Sequence, residues 1–323
     1  MNAATRARPI ARPEEVVLAA FALALIGIVA ITGKLPQTFA PPLWRVLRRL
    51  HVYFVACVAA GAALWFARAS LKHRGGARDL VQATGRSPVL TMLRDFAPFY
   101  GVAVLYEALA QLTPVLRPDV VDAALIRFDR AWLGVDAALW LERFASPWLS
   151  WTLAACYGSY FVLPAGLAVA LYALGEHALF RDLMLAGVFA AALAFAGYLL
   201  VPAVGPYAFQ AELYPHRLPG NAYCPSFVRW IDDLRGVARD CFPSLHVAHA
   251  TVVATIAFRF RRWLFAALLP IIFGLIVSTL YLRMHYAIDL VAGAAVGAVA
   301  VALAPAVNRR WAARAVERGE QPA

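Results

Sequence analysis

Polar and apolar positions along the chain alternate in long hydrophobic runs separated by short basic turns. The runs at residues 16–33, 52–67, 96–112, 148–174, 183–201, 246–258, 263–282 and 286–306 predict eight membrane spans, because about 20 helical residues cover the roughly 30 Å hydrocarbon core. The sixth run is short and opens on polar residues, which predicts a helix that starts inside the protein rather than against lipid. Residues 122–144 mix charged and apolar positions at helical spacing and predict an interfacial helix closing one face. Residues 202–242 carry Pro, Gly, Tyr and charges, lead into Ser244, and predict a lid-like approach loop. In the last run Gly293 and Gly297 form G-x-x-x-G, a signal for close helix packing.

Composition turns this pattern into a class. With 62% hydrophobic and 15% charged residues and a mean hydropathy of +0.66, a soluble core would have no polar surface left. The fold expected is all-α, a polytopic transmembrane bundle. A net charge of +11 does not indicate nucleic acid, because the Arg residues sit in short clusters between apolar runs. Arg6 to Arg12, the cluster Arg68, Lys72, Arg74 and Arg78, the turn Arg259, Arg261 and Arg262, and the tail Arg309, Arg310 and Arg314 fall on one side of an eight-span arrangement, the cytoplasmic side by charge bias. Arg45, Arg48 and Arg49 fall on the other side and are accommodated by a surface helix at 44–50. Arg94 and Asp95 are expected as an ion pair or interface anchor at the cytoplasmic end of their span. The N-terminal run reads as a retained span rather than a cleaved leader. Neither internal repeats nor paired interrupted helices are visible, which speaks against a transporter.

Candidate chemistry concentrates in two polar clusters, Pro243-Ser244-Leu245-His246 and His285-Tyr286-Ala287-Ile288-Asp289. The two His lie 39 positions apart, a helical path of about 58 Å, close to two bilayer crossings. The chain therefore crosses and returns, and both imidazoles end on one side. On a helix Asp289 stacks beside His285 at i+4. Ionisable residues at membrane depth mark function by default. Imidazole can act as nucleophile, as acid or base, or as metal ligand. If His285 attacks phosphorus, Asp289 fixes its tautomer and His246 protonates the departing oxygen. Ser244 and the backbone N–H groups from Leu245 onward then hold the phosphoryl oxygens at a helix N-terminus. The metal alternative uses His246, His249, His285 and Asp289. Cys224 and Cys241 are either a disulfide clamping the outer loop or two free thiols. Tyr106, Glu107, Tyr157, Ser159 and Tyr160 either line a headgroup pocket or bond between helices.

The wording FPSLH at 242–246 with STLYLRMHYAIDLVAG at 278–293 resembles the membrane type 2 phosphatidic acid phosphatase superfamily, and is most similar to its inositol phosphorylceramide synthase branch. The resemblance covers residues 94–306. It implies a six-helix core at 89–306 with outer loops at 113–147 and 202–245, preceded by a two-span extension with a basic loop at 1–88 and followed by a basic tail at 307–323. It also implies a phosphohistidine on His285, an acid at His246 and an orienting carboxylate at Asp289. Beside it, the residues themselves offer phosphate contacts at Ser244, Leu245 and Thr279 and a candidate substrate pocket at Tyr157, Tyr160 and Tyr207. Neither metal nor cofactor is implied, and the partner is a lipid in the bilayer. Phosphatase members carry K-x-x-x-x-x-x-R-P and a second Arg; here VPAVGPY stands at 201–207 and Thr279 at the Arg position. Fewer cations suit a phosphodiester with one charge better than a monoester with up to two. The activity expected is therefore phosphotransfer from a phosphodiester lipid to an alcohol in the cell membrane, with the site on the non-cytoplasmic face. The alternative is hydrolysis of phosphatidic acid or prenyl phosphates by the same chemistry.

Overall fold

A computed structural model of the protein describes residues 11–34, 59, 88–214, 218, 219 and 239–318. Among these residues the regular structure is entirely helical. Six helices are long and apolar enough to cross a membrane: α1 (Pro13–Thr32), α2 (Pro88–Leu116), α5 (Pro147–Leu174), α6 (His177–Leu200), α9 (Arg262–Tyr281) and α10 (Ala287–Glu317). A seventh apolar helix, α8 (Leu245–Phe260), is shorter. These seven match seven of the eight runs read from the sequence; the run at 52–67, residue 59 apart, lies outside the described residues, as does the expected surface helix at 44–50. Three small helices decorate the end where α8 starts: α3 (Asp122–Leu133), α4 (Ala137–Glu142) and α7 (Pro206–Phe209).

Local chemistry sets the boundaries. Ser146 caps α5 by accepting from Leu149 N at 3.3 Å, Pro147 fits the first helical position, and Gly175 closes the helix with φ of 77°. The stretch 122–144 is not one interfacial helix but two. Gly134, at φ 72°, ends α3 by donating to Arg130 O, and Asp136 then accepts from Leu139 N to start α4. A continuous i, i+3, i+4 pattern hid this break, because Gly134 in the left-handed region stops a helix whatever the flanking periodicity says.

The bundle is built around α6 and α8. α6 packs against α1, α2, α5, α8 and α10, and α8 also packs against α5, α9 and α10. Small residues make this possible: Ala186, Ala190, Ala191 and Ala194 on α6 meet Ala248, Val252, Val253 and Ile256 on α8 in one buried cluster. G-x-x-x-G has the role its spacing suggests. A side chain on Gly293 would strike the Ser244 carbonyl, and one on Gly297 would strike the Ala248 carbonyl, so α10 rides directly on the first turns of α8.

The far end of the bundle is stapled by charge. Arg12 pairs with Asp95 at 2.5 Å, Asp95 accepts from Tyr172 Oη at 2.9 Å, Arg94 pairs with Glu15 at 2.6 Å, and the fully buried Glu14 pairs with Arg181 at 2.7 Å. Arg94 and Asp95 each reach a charge on or just before α1 and lock that helix onto α2, while Glu14 ties it to α6. Trp311 near the end of α10 donates to Ala11 O at the same level. From Asp289 to Trp311 α10 climbs about 33 Å, so this ionic end lies one bilayer thickness from the two motif histidines.

Candidate active site

At the other end, a turn between α9 and α10 and the loop before α8 face one another. α9 ends because Arg283 adopts φ of 64°, after which Met284 N and His285 N both donate to the Thr279 carbonyl, at 2.9 and 3.1 Å. Thr279 therefore meets the site through its backbone; its hydroxyl is turned to Ile276 O at 2.7 Å. Across from it, Ser244 is fully buried, donates its N–H to Asp289 O at 3.0 Å, and caps α8 by accepting from Val247 N at 3.4 Å. The Leu245 N–H lies beside Tyr198, a neighbour without any sequence signature. That N–H lies at the positive end of α8, where a helix favours an anion.

The double crossing brings the imidazoles together. His285 Nε2 and His246 Nδ1 are 3.4 Å apart, with ring centroids at 5.5 Å and an interplanar angle of 68°. On its other edge His285 Nδ1 lies 2.8 Å from Cys241 O and 3.4 Å from Asp289 Oδ2. A carbonyl only accepts, so Nδ1 carries the proton and Nε2 keeps its lone pair pointed at His246. Asp289 Oδ2 is held in turn by Tyr286 N at 2.8 Å and by the Cys241 thiol at 2.9 Å. Burial, reinforced by the neighbouring Asp289 charge, pushes the Cys241 thiol well above its ordinary value, so it stays a neutral donor. Cys241 is a free thiol; Cys224, the other half of the expected alternative, lies outside the described residues.

His246 is packed between tyrosines. Its ring centroid is 4.3 Å from that of Tyr160 and 4.7 Å from that of Tyr157. Tyr160 Oη also bonds His249 Nδ1 at 3.1 Å, while His249 Nε2 donates to Gly187 O at 3.1 Å. Both His249 nitrogens are thereby occupied away from His285, so the four-ligand set His246, His249, His285 and Asp289 does not converge. The donor atoms that do converge, within 4.8 Å of one another, are on Cys241, His285 and Asp289, and hydrogen bonds join all three. Tyr207 enters through its backbone, donating to Arg283 O at 2.8 Å. Tyr106 donates to Asp240, which is also near Glu107, Tyr160 and Tyr198.

Two acidic residues of α3 are built into the site, which sequence reading did not single out. Asp129 accepts from Ala287 N at 2.6 Å and Ile288 N at 3.0 Å, capping α10 from outside. Burial raises its carboxyl above the ordinary carboxylate range although these two donors pull the other way. Asp122 accepts from Val204 N, Gly205 N and Tyr286 Oη at 3.1, 2.8 and 2.9 Å. Gly205 needs its φ of 84°, and a side chain there would meet Met284 O at 2.6 Å. The α3 carboxylates thus tie the 202–207 turn, the His285 turn and the start of α10 into one unit. Their spacing of seven along a helix, two turns on one face, was the available signal.

Residues 123–303 match the family described as the PAP2 superfamily, more than half of the chain and all of the residues placed in this cluster except Tyr106, Glu107 and Asp122. No curated protein and no solved structure matches the chain.

Proposed function

The chain belongs to the PAP2 superfamily, a lipid enzyme of phosphatase or phosphotransferase type, and we propose that it is the transferase: a phosphodiester lipid donates its phosphoryl headgroup to an alcohol through a phosphohistidine on His285. In this reading Nε2 of His285 attacks phosphorus and the bond to the lipid oxygen breaks, with the proton supplied by His246 Nδ1. The acceptor alcohol then gives its proton back to His246 and attacks the phosphorus, releasing His285. Water in place of the alcohol gives hydrolysis. The observation that carries the reading is the 3.4 Å approach of Nε2 to Nδ1, with the opposite edge of His285 pinned by Cys241 O. A nucleophile held in its tautomer and an acid immediately beside it are what this chemistry needs.

The diester preference rests on where the cations are. Arg283 is engaged by Glu142 at 3.1 Å and lies over the Tyr214 ring at 4.0 Å; Arg239 donates to Pro118 O at 2.6 Å. Asp240 places a carboxylate beside Tyr160, Tyr198 and Cys241. A group with one negative charge suffers less from this field than one with two. The basic residues Arg259, Arg261, Arg262, Arg309, Arg310 and Arg314 sit on the helix ends away from the histidines, which supports a site on the non-cytoplasmic face of the cell membrane.

Incubating the detergent-purified chain with phosphatidylinositol, with and without ceramide or diacylglycerol, tests the reading by mass spectrometry of the products. Acceptor-dependent formation of the inositol phosphoryl product is expected. Rapid release of phosphate from phosphatidic acid or a prenyl phosphate, with no transfer, would assign the phosphatase instead. The rate should also follow a bell in pH, as a nucleophilic imidazole and an acidic one together predict. A profile flat across pH 5 to 9 would remove the two-imidazole mechanism.

A further inference from the structure

Behind the edge of His285 that faces away from His246, three donor atoms of different chemistry close a triangle. Cys241 Sγ lies 3.7 Å from His285 Nδ1 and 2.9 Å from Asp289 Oδ2, and Nδ1 lies 3.4 Å from Oδ2. A zinc-class ion bonds thiolate at about 2.3 Å, imidazole at about 2.0–2.1 Å and carboxylate at about 2.0–2.2 Å, so in a tetrahedron sulfur and nitrogen stand about 3.6 Å apart, nitrogen and oxygen about 3.4 Å, and sulfur and oxygen about 3.6 Å. Two edges of the triangle already match, and the third has to open by about 0.7 Å. A fourth donor is at hand. Asp289 Oδ1 is buried and has no hydrogen-bond partner among the described residues, a costly state for a carboxylate oxygen, and it sits on the same carboxylate as Oδ2.

The surroundings favour a cation at this point. Asp289, Asp122 and Asp240 all act on the Cys241 thiol, while Arg283 is engaged by Glu142 and Arg239 by the Pro118 carbonyl. A dication that replaces a single proton is attracted by all three carboxylates. Thiolate with imidazole selects zinc or cobalt(II), because magnesium and calcium take oxygen ligands.

We infer that Cys241, His285 and Asp289 form an inhibitory site for a zinc-class divalent cation. On binding, the Cys241 thiol releases its proton to solvent and its sulfur bonds the ion as thiolate, since a coordinating thiol is deprotonated outright. Nδ1 of His285 gives its lone pair to the ion, and the proton it carried moves to Nε2, so the ring stays neutral. The Nε2 lone pair that attacks phosphorus is thereby lost. This effect on the rate rests on the proposed role of Nε2, whereas binding of the ion does not.

The test reads the two separately. The full chain, purified in detergent and freed of metal with a chelator, is titrated with cobalt(II) and then with zinc. A thiolate-to-cobalt charge-transfer band should saturate at one ion per chain and vanish when zinc is added; Cys241→Ser should abolish it and Cys156→Ser should keep it. Absence of the band, or its survival in Cys241→Ser, overturns the site whatever reaction the chain performs. In the unaltered chain zinc should lower kcat for lipid cleavage and leave KM unchanged, and magnesium should change neither. Cys241→Ser, compared with its own metal-free rate, should need at least about tenfold more zinc for the same inhibition, the least that losing a partner in a metal site usually costs. A rise in KM with constant kcat reports zinc captured by the lipid phosphate, and equal inhibition by magnesium reports charge screening; either overturns the inhibitory role. A Cys241-dependent band with undiminished kcat leaves the metal site standing and removes Nε2 of His285 as the nucleophile.

Discussion

His285→Ala is expected to lower turnover by about four to six orders of magnitude, the range seen when a nucleophile that works as part of a unit is removed. The loss should appear in kcat with little change in lipid binding, because the tyrosines packed around His246 do not depend on this ring. His246→Ala should behave differently. It removes the acid but leaves Nε2 of His285 and its Cys241 O anchor intact, so a good leaving group should restore much of the first step and let phosphorylated His285 accumulate. General acid catalysis is typically worth about 10²–10⁴-fold, and the two variants should differ by about that margin on an activated substrate. Acid-labile, base-stable phosphate on His285 in the His246→Ala protein, seen by mass spectrometry, is the expected signature. Equal loss in both variants on every leaving group would mean that neither imidazole holds the phosphoryl group covalently.

How much of this was visible beforehand follows from what kind of interaction holds each part. Apolar runs at bilayer length announced the helices, since that requirement is written in side chains. The meeting of His246 and His285 was visible too, because a return crossing is a matter of counting. What stayed hidden was whatever the backbone does. Cys241 O anchors His285, the Thr279 carbonyl gathers two N–H groups, and the Ser244 N–H reaches Asp289 O; no residue type advertises any of these. Long-range charge pairing was hidden for another reason. Asp129 and Ala287 are 158 residues apart, and Arg94 and Glu15 are 79 apart, so the acidic residues of α3 and the arginines near α1 could each have faced lipid headgroups or one another. Only the packed bundle selects the partners.

The least obvious consequence concerns Asp289. In oriented-imidazole enzymes where a carboxylate alone fixes the tautomer, Asp→Asn costs about 10⁴-fold in kcat because the ring flips to the wrong tautomer. Here the shorter contact to Nδ1 is a backbone carbonyl at 2.8 Å, and the carboxylate stands at 3.4 Å. Asp289→Asn removes the charge but can keep an acceptor oxygen for Tyr286 N and the Cys241 thiol, and Cys241 O still demands a proton on Nδ1. Its cost should be about 10²-fold, the share due to stabilising the positive charge that develops on the ring. Asp289→Ala should cost at least another tenfold and lower thermal stability, since it strands two buried donors, each worth about 1–3 kcal/mol when unsatisfied. Measuring kcat and melting temperature for both variants separates these effects. If Asp289→Asn alone reaches the 10⁴-fold loss, the carboxylate and not the carbonyl sets the tautomer, and the roles assigned to Cys241 and Asp289 exchange.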